Sequence, residues 1–136
     1  MARILAIDYG MKRTGLAVTD PMQIIATGLT AVDTKNIFDF LKDYLKNEEV
    51  ELFVVGYPIH LDGNESPMSL AVDKFIEILQ KNHPHIPVDK EDERFTSQMA
   101  ARSLVQSGVK KKKRQNKKLL DEVSAVLILQ AYMGHR

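Results

Sequence analysis

The stretch ELFVVGYP, residues 51–58, constrains the fold more than any other part of this 136-residue chain. It is short, rich in β-forming residues and almost wholly apolar, and Gly56 and Pro58 bring it to an end. A strand of this pattern has no face to turn toward water, so it belongs inside a sheet that is covered on both sides. Candidate covers flank it. Before it, Ile37, Phe38, Leu41, Tyr44 and Leu45 recur at helical spacing after Asp33-Thr34, which reads as an N-cap. After it, Ser66-Pro67 supplies an N-cap residue and a proline at the first helical position. Val72, Phe75, Ile76 and Leu79 then form a buried stripe that His83-Pro84 breaks.

The remaining segments fit around this centre. ARILAIDY reads as a buried strand, with TGLAVTD and IIATGLTAV as two more, separated by Gly15 and the Asp20-Pro21 pair. IPVDKEDER supplies a fifth strand that grows acidic toward its end. Thr96 caps an expected helix through Gln106, with Gly108 at a favourable C-cap position. The basic segment VKKKKRQN then leads to a last helix from about Lys117 to Tyr132, whose expected core face is Leu119, Leu120, Val123, Val126 and Leu127. The order is three strands, helix, strand, helix, strand, helix, helix. It predicts an α/β domain over residues 1–136, a mixed sheet with helices on both faces.

Composition excludes several chemistries. The chain has no cysteine, hence no disulfide framework, thiol nucleophile or cysteine zinc site, and any metal must be held by oxygen or histidine. His60, His83, His85 and His135 match no metal-binding spacing. No apolar run approaches the ~18 residues of a membrane span and no signal peptide is apparent, so a cytoplasmic location is expected, with no membrane partner. The 19 basic and 18 acidic residues nearly cancel, but they are not evenly placed. Glu48–Glu51 and Asp89–Glu93 are acidic, whereas Lys110, Lys111, Lys112, Lys113 and Arg114 form an unbroken cationic run. Such a run is a solvated surface or a phosphate-binding patch.

Three carboxylates are candidates for one site. In a sheet of this kind ligands gather where neighbouring strands run out at their carboxyl ends. Asp8 ends the first strand and Glu93 the fifth; the two ends lie close if the sheet runs first, fourth, fifth on that side. Asp121 lies one turn into the last helix, and its neighbours Ser124 and Ala125 are small enough to let that face approach the sheet. Each acid also has a plainer role: a turn cap for Asp8, a pair with Arg94 or Lys90 for Glu93, and a pair with Lys117 for Asp121. Converging carboxylates repel one another unless a cation joins them. Mg2+ is held by one or two carboxylates together with water and phosphate oxygens, and a pair of such ions serves in-line phosphodiester cleavage.

The segments AIDYGMKRTGLAV, VVGYPIHLDG, DERFTS and the KxxxD pattern in KKLLDEVSAVLIL together resemble the YqgF/RuvX family. This is a branch of the RNase H-like nucleases associated with pre-16S rRNA processing and, earlier, with Holliday junction resolution. The resemblance runs almost end to end. It implies an RNase H-like fold, a five-stranded mixed sheet with the second strand antiparallel, flanked by helices. It also implies metal-dependent hydrolysis of phosphodiester bonds with Mg2+ or Mn2+, and it puts the family's acidic site on Asp8, Glu93 and Asp121. Ser97 replaces a more usual threonine and Ser124 a more usual alanine; neither change removes a ligand.

Lys12, Arg13 and Arg94 sit beside these acids in sequence and are candidate phosphate contacts, as is the run from Lys110 to Arg114. Asp62 and Asn64, in the loop after the central strand, are weaker candidates than a plain turn. The sequence shows no aromatic cluster for base stacking. The expected partner is nucleic acid, with the 5′ end of pre-16S rRNA first and branched DNA second. A monomer suffices for trimming one end, whereas symmetric resolution calls for a homodimer. DYGMKRTG also resembles the first phosphate loop of actin-like and sugar-kinase ATPases, but those need two such domains. A catalytically idle binding adaptor is the remaining alternative.

Overall fold

The computed structural model describes residues 2–58, 66–92 and 117–134. Strands β1 (Arg3–Asp8), β2 (Arg13–Thr19) and β3 (Ala26–Asp33) form an opening meander. A 3-10 turn (Thr34–Asn36) leads into α1 (Ile37–Asn47), followed by β4 (Val50–Tyr57), α2 (Pro67–Asn82), β5 (Val88–Asp92) and α3 (Lys117–Gly134). The strands make one sheet in the order β3-β2-β1-β4-β5. β2 is antiparallel to both β1 and β3, while β4 is parallel to both β1 and β5. ELFVVGYP thus supplies an interior strand, as its two apolar faces require. The helix expected over 96–106 and the basic segment after it lie outside the described residues.

Side-chain alternation divides the core into two layers. Leu5, Ile7, Leu16, Val18, Phe53 and Val55 point to the face covered by α1 and α2, where they meet Ile37, Leu41, Val72, Phe75 and Leu79. Ile4, Ala6, Ala17 and Val54 point the other way and meet Ala125, Ile128 and Leu129 of α3.

Two local expectations need correction. The buried residues of α3 are Ser124, Ala125, Ile128 and Leu129, not the stripe that begins at Leu119 and Leu120. The helix carries apolar residues most of the way round, so periodicity alone does not select a face. The selection comes from the sheet, where Gly15 and Gly28 leave room for α3 to approach, its Asp121 backbone against Gly15 and its Glu122 side chain against Gly28. The second correction concerns Asp33-Thr34. Neither Asp33 nor Asn36 makes a side-chain capping bond. The Thr34 hydroxyl donates instead to the Gly10 carbonyl at 2.6 Å and lies 2.9 Å from the Thr14 hydroxyl, while the Thr34 N–H donates to the Lys12 carbonyl at 2.9 Å. The start of α1 is therefore pinned to the β1–β2 hairpin.

Other local signals behave as read. Ser66 and Ser69 cap α2 reciprocally, each hydroxyl accepting the other's backbone N–H at 3.1 and 2.9 Å, with Pro67 in the first turn. The Asp20 carboxylate accepts the N–H groups of Ile24 and Ile25 at 2.8 and 2.7 Å, which closes the β2–β3 turn and holds that carboxyl below its ordinary range.

Candidate functional site

Asp8 is the last residue of β1 and stands directly opposite Gly15 of β2. Facing residues of an antiparallel pair share a side of the sheet. Ile4, Ala6 and Ala17 mark that side as the one α3 covers. A side chain at Gly15 would run into the Asp121 carbonyl, so only glycine lets the helix backbone come this near. Asp8 and Asp121 are thereby brought to the same face at the same level of the sheet. Neither carboxylate is fully exposed.

The Arg13 guanidinium is drawn into the same corner. Its Nε donates to Asp121 Oδ2 at 3.0 Å, with both side chains 28% exposed. Lys12, one residue earlier, is exposed on the hairpin that Thr34 pins in place. On the far side of β1, Asp89 and Glu91 of β5 are in register with Val54 and Gly56 of β4 and share the α3 face. Glu91 is buried, and the Tyr132 hydroxyl of α3 donates to Asp89 Oδ2 at 2.7 Å. Glu93, Arg94, Asp62, Asn64 and the cations Lys110, Lys111, Lys112, Lys113 and Arg114 lie outside the described residues.

Among the described residues no three acidic or histidine side chains converge as a metal-binding group. Asp8 and Asp121 offer carboxylate oxygens from two elements on one face, β1 and α3, and hard oxygen donors are what Mg2+ and Mn2+ select. Two acids suffice for an ion that keeps several waters and takes its other ligands from a bound phosphate.

Three features of this edge escape sequence reading. The Thr34 clamp looks like a helix cap until the hairpin is folded beside it. Tyr9, Phe38 and Phe75 are dispersed along the chain, yet Phe75 lies 4.5 Å from Tyr9 and 5.5 Å from Phe38 between ring centroids, directly behind the end of β1. Finally, the Tyr57 hydroxyl donates to Asp73 Oδ2 at 2.9 Å and Lys90 donates to Asp73 Oδ1 at 3.2 Å. The Lys90 ammonium also sits 4.4 Å from the centre of the Tyr57 ring. Burial, and then the Asp73 carboxylate, push the Tyr57 hydroxyl above its ordinary pKa. This network ties the carboxyl ends of β4 and β5 to α2.

A five-stranded sheet of this order, covered by helices on both faces, has the RNase H-like fold. The chain belongs to the RuvX family, whose description is Holliday junction resolvase and whose family profile matches residues 2–135. Curated relatives carry the name "Putative pre-16S rRNA nuclease". The one from Porphyromonas gingivalis is 53% identical over 135 residues, covering 99% of this chain and 98% of the relative. The one from Amoebophilus asiaticus is 52% identical over 134 residues, covering 98% and 95%. Among solved structures, Thermus thermophilus RuvC in complex with a Holliday junction substrate superimposes with a TM-score of 0.56 over 99% of this chain and 98% of that one. At 17% identity that likeness shows the fold alone.

Proposed function

We propose that this protein is a divalent-metal-dependent phosphodiesterase that trims the 5′ end of pre-16S rRNA in the cytoplasm, acting as a single domain. The observation that supports the reading is that Asp8 faces Gly15 and the Asp121 backbone packs against that same glycine, on one face of the sheet. With Glu93 they supply the carboxylates for Mg2+ or Mn2+. Such cations, held there, would supply activation of water for attack on phosphorus and neutralisation of charge on the leaving oxygen. Asp8 and Asp121 orient that chemistry from two rigid elements, β1 and α3. Lys12 on its pinned hairpin, with Arg94 and the run from Lys110 to Arg114, holds the phosphate backbone and makes binding steeply salt-dependent. These contacts carry little sequence information, so the cleavage site is set by the shape of the RNA.

The family description favours a second reading, cleavage of four-way DNA junctions. Wild type and Asp8→Asn, incubated with a pre-16S 5′-leader RNA and a four-way junction in Mg2+ or Mn2+, separate the two. The expected result is metal-dependent cutting of the RNA that Asp8→Asn abolishes. Cutting of the junction alone would replace the substrate. Binding without cutting of either would favour an adaptor.

A further inference from the structure

The ion pair between Arg13 and Asp121 has a consequence for how the site is loaded. Arg13 begins β2, and Asp33 stands directly opposite it on β3. Its guanidinium nevertheless reaches across to α3 and bonds Asp121 Oδ2 at 3.0 Å. A carboxylate oxygen bonded to a guanidinium is a poorer donor for a second cation, and any divalent ion approaching Asp121 also meets the fixed positive charge of Arg13. A backbone phosphodiester offers the same guanidinium a two-pronged partner of equal charge, and a strand brings several such groups at once.

Building on the nuclease reading, we propose that Arg13 is a positioning residue that guards Asp121. In the free protein it occupies Oδ2 and weakens divalent-cation binding. When a nucleic-acid strand enters, the guanidinium transfers to a backbone phosphate and Asp121 is released to the cation. No covalent bond changes; one ion pair is exchanged for another. Cation and nucleic acid then bind cooperatively, and by linkage each strengthens the other to the same degree. The nuclease stays poor in metal until a substrate is in place.

The test is Mn2+ affinity by isothermal titration calorimetry on wild type, Arg13→Gln, Arg13→Lys and Asp121→Asn. Each is measured alone and with a phosphorothioate-substituted leader RNA, and melting temperatures confirm that every variant is folded. Without RNA, Arg13→Gln should bind Mn2+ about fivefold more tightly than wild type, the factor expected from losing a partly buried ion pair. RNA should tighten Mn2+ binding by wild type more than by Arg13→Gln, which gains only the phosphate ligands and not the release of Asp121. Arg13→Lys, which keeps the charge without the fork, should fall between them; if Arg13→Gln fails to fold, this variant carries the test. A gain in metal affinity is not what loss of a merely structural bond produces. If Asp121→Asn loses Mn2+ binding while Arg13→Gln and Arg13→Lys match wild type, the guard is overturned and the metal site stands. If Asp121→Asn binds Mn2+ like wild type, both the guard and the role of Asp121 as a metal ligand fall.

Discussion

One face of the sheet is filled with bulk, whereas the other sets small residues among Ile4, Val54, Ile128 and Leu129, although the same strands build both. Toward α1 and α2, leucine, isoleucine, valine and phenylalanine side chains interlock, and Phe53 and Leu41 are wholly removed from water. Toward α3, the strands offer Ala6, Ala17, Gly15 and Gly28, and the helix answers with Ser124 and Ala125. Bulk holds the helices off the sheet and stabilises through buried area. Small residues contribute less burial per contact but let the α3 backbone touch β2. That closeness carries Asp121 to the level of Asp8. The first face mainly supports the fold, and the second gives up burial for a close approach of helix to sheet.

This contrast predicts substitutions that separate activity from stability. The largest effect belongs to Asp8→Asn and Asp121→Asn, each expected to lower the cleavage rate by about a hundredfold or more with little change in melting temperature. A large fall in melting temperature for either would make its role structural. On the opposite face, Phe53→Ala should destabilise the protein by about 3–5 kcal/mol in urea denaturation and leave the rate per folded molecule unchanged. Gly15→Ala is the sharper probe. It should cost about 1–3 kcal/mol, yet slow cleavage beyond what its folded fraction explains, because its Cβ pushes the Asp121 backbone away from β1. Normal cleavage by Gly15→Ala would break the link between close packing and the site.

The smallest effect is a pH dependence on the bulky face. The His83 ring packs edge-on to Phe53 at 5.9 Å between centroids. Its burial, and secondarily His85, hold it below the ordinary histidine pKa. The unfolded chain therefore takes up a proton at higher pH than the native one. Stability is favoured above the unfolded value, near 6.5, and declines as pH falls through that value toward the lowered native one. Denaturation curves between pH 7 and pH 5 should show a weaker decline in His83→Gln than in wild type.

The same contrast explains what the sequence disclosed. The bulky face was legible because large apolar residues repeat at helical or strand spacing; Val72, Phe75, Ile76 and Leu79 are buried as their period requires. Asp8 was legible as a charge at the end of an apolar strand, and the sheet order brings the carboxyl ends of β1, β4 and β5 side by side. The face of α3 was not legible from hydrophobic spacing, because Leu119, Leu120, Val123 and Leu127 compete with Ile128 and Leu129. The small residues Ser124 and Ala125 were the better guide, since they report how near a helix can come. The Arg13–Asp121 pair and the Thr34 clamp join positions far apart in the chain, and no local pattern announces either.

The most direct test of the account is paramagnetic broadening of backbone amide signals during a Mn2+ titration of the 15N-labelled protein with leader RNA bound. If Asp8 and Asp121 form one site, the amides of Asp8, Gly15 and Asp121 broaden together at low Mn2+, and Asp121→Asn removes the effect from all three. Broadening confined to one of these elements, or centred elsewhere in the protein, would contradict the shared site.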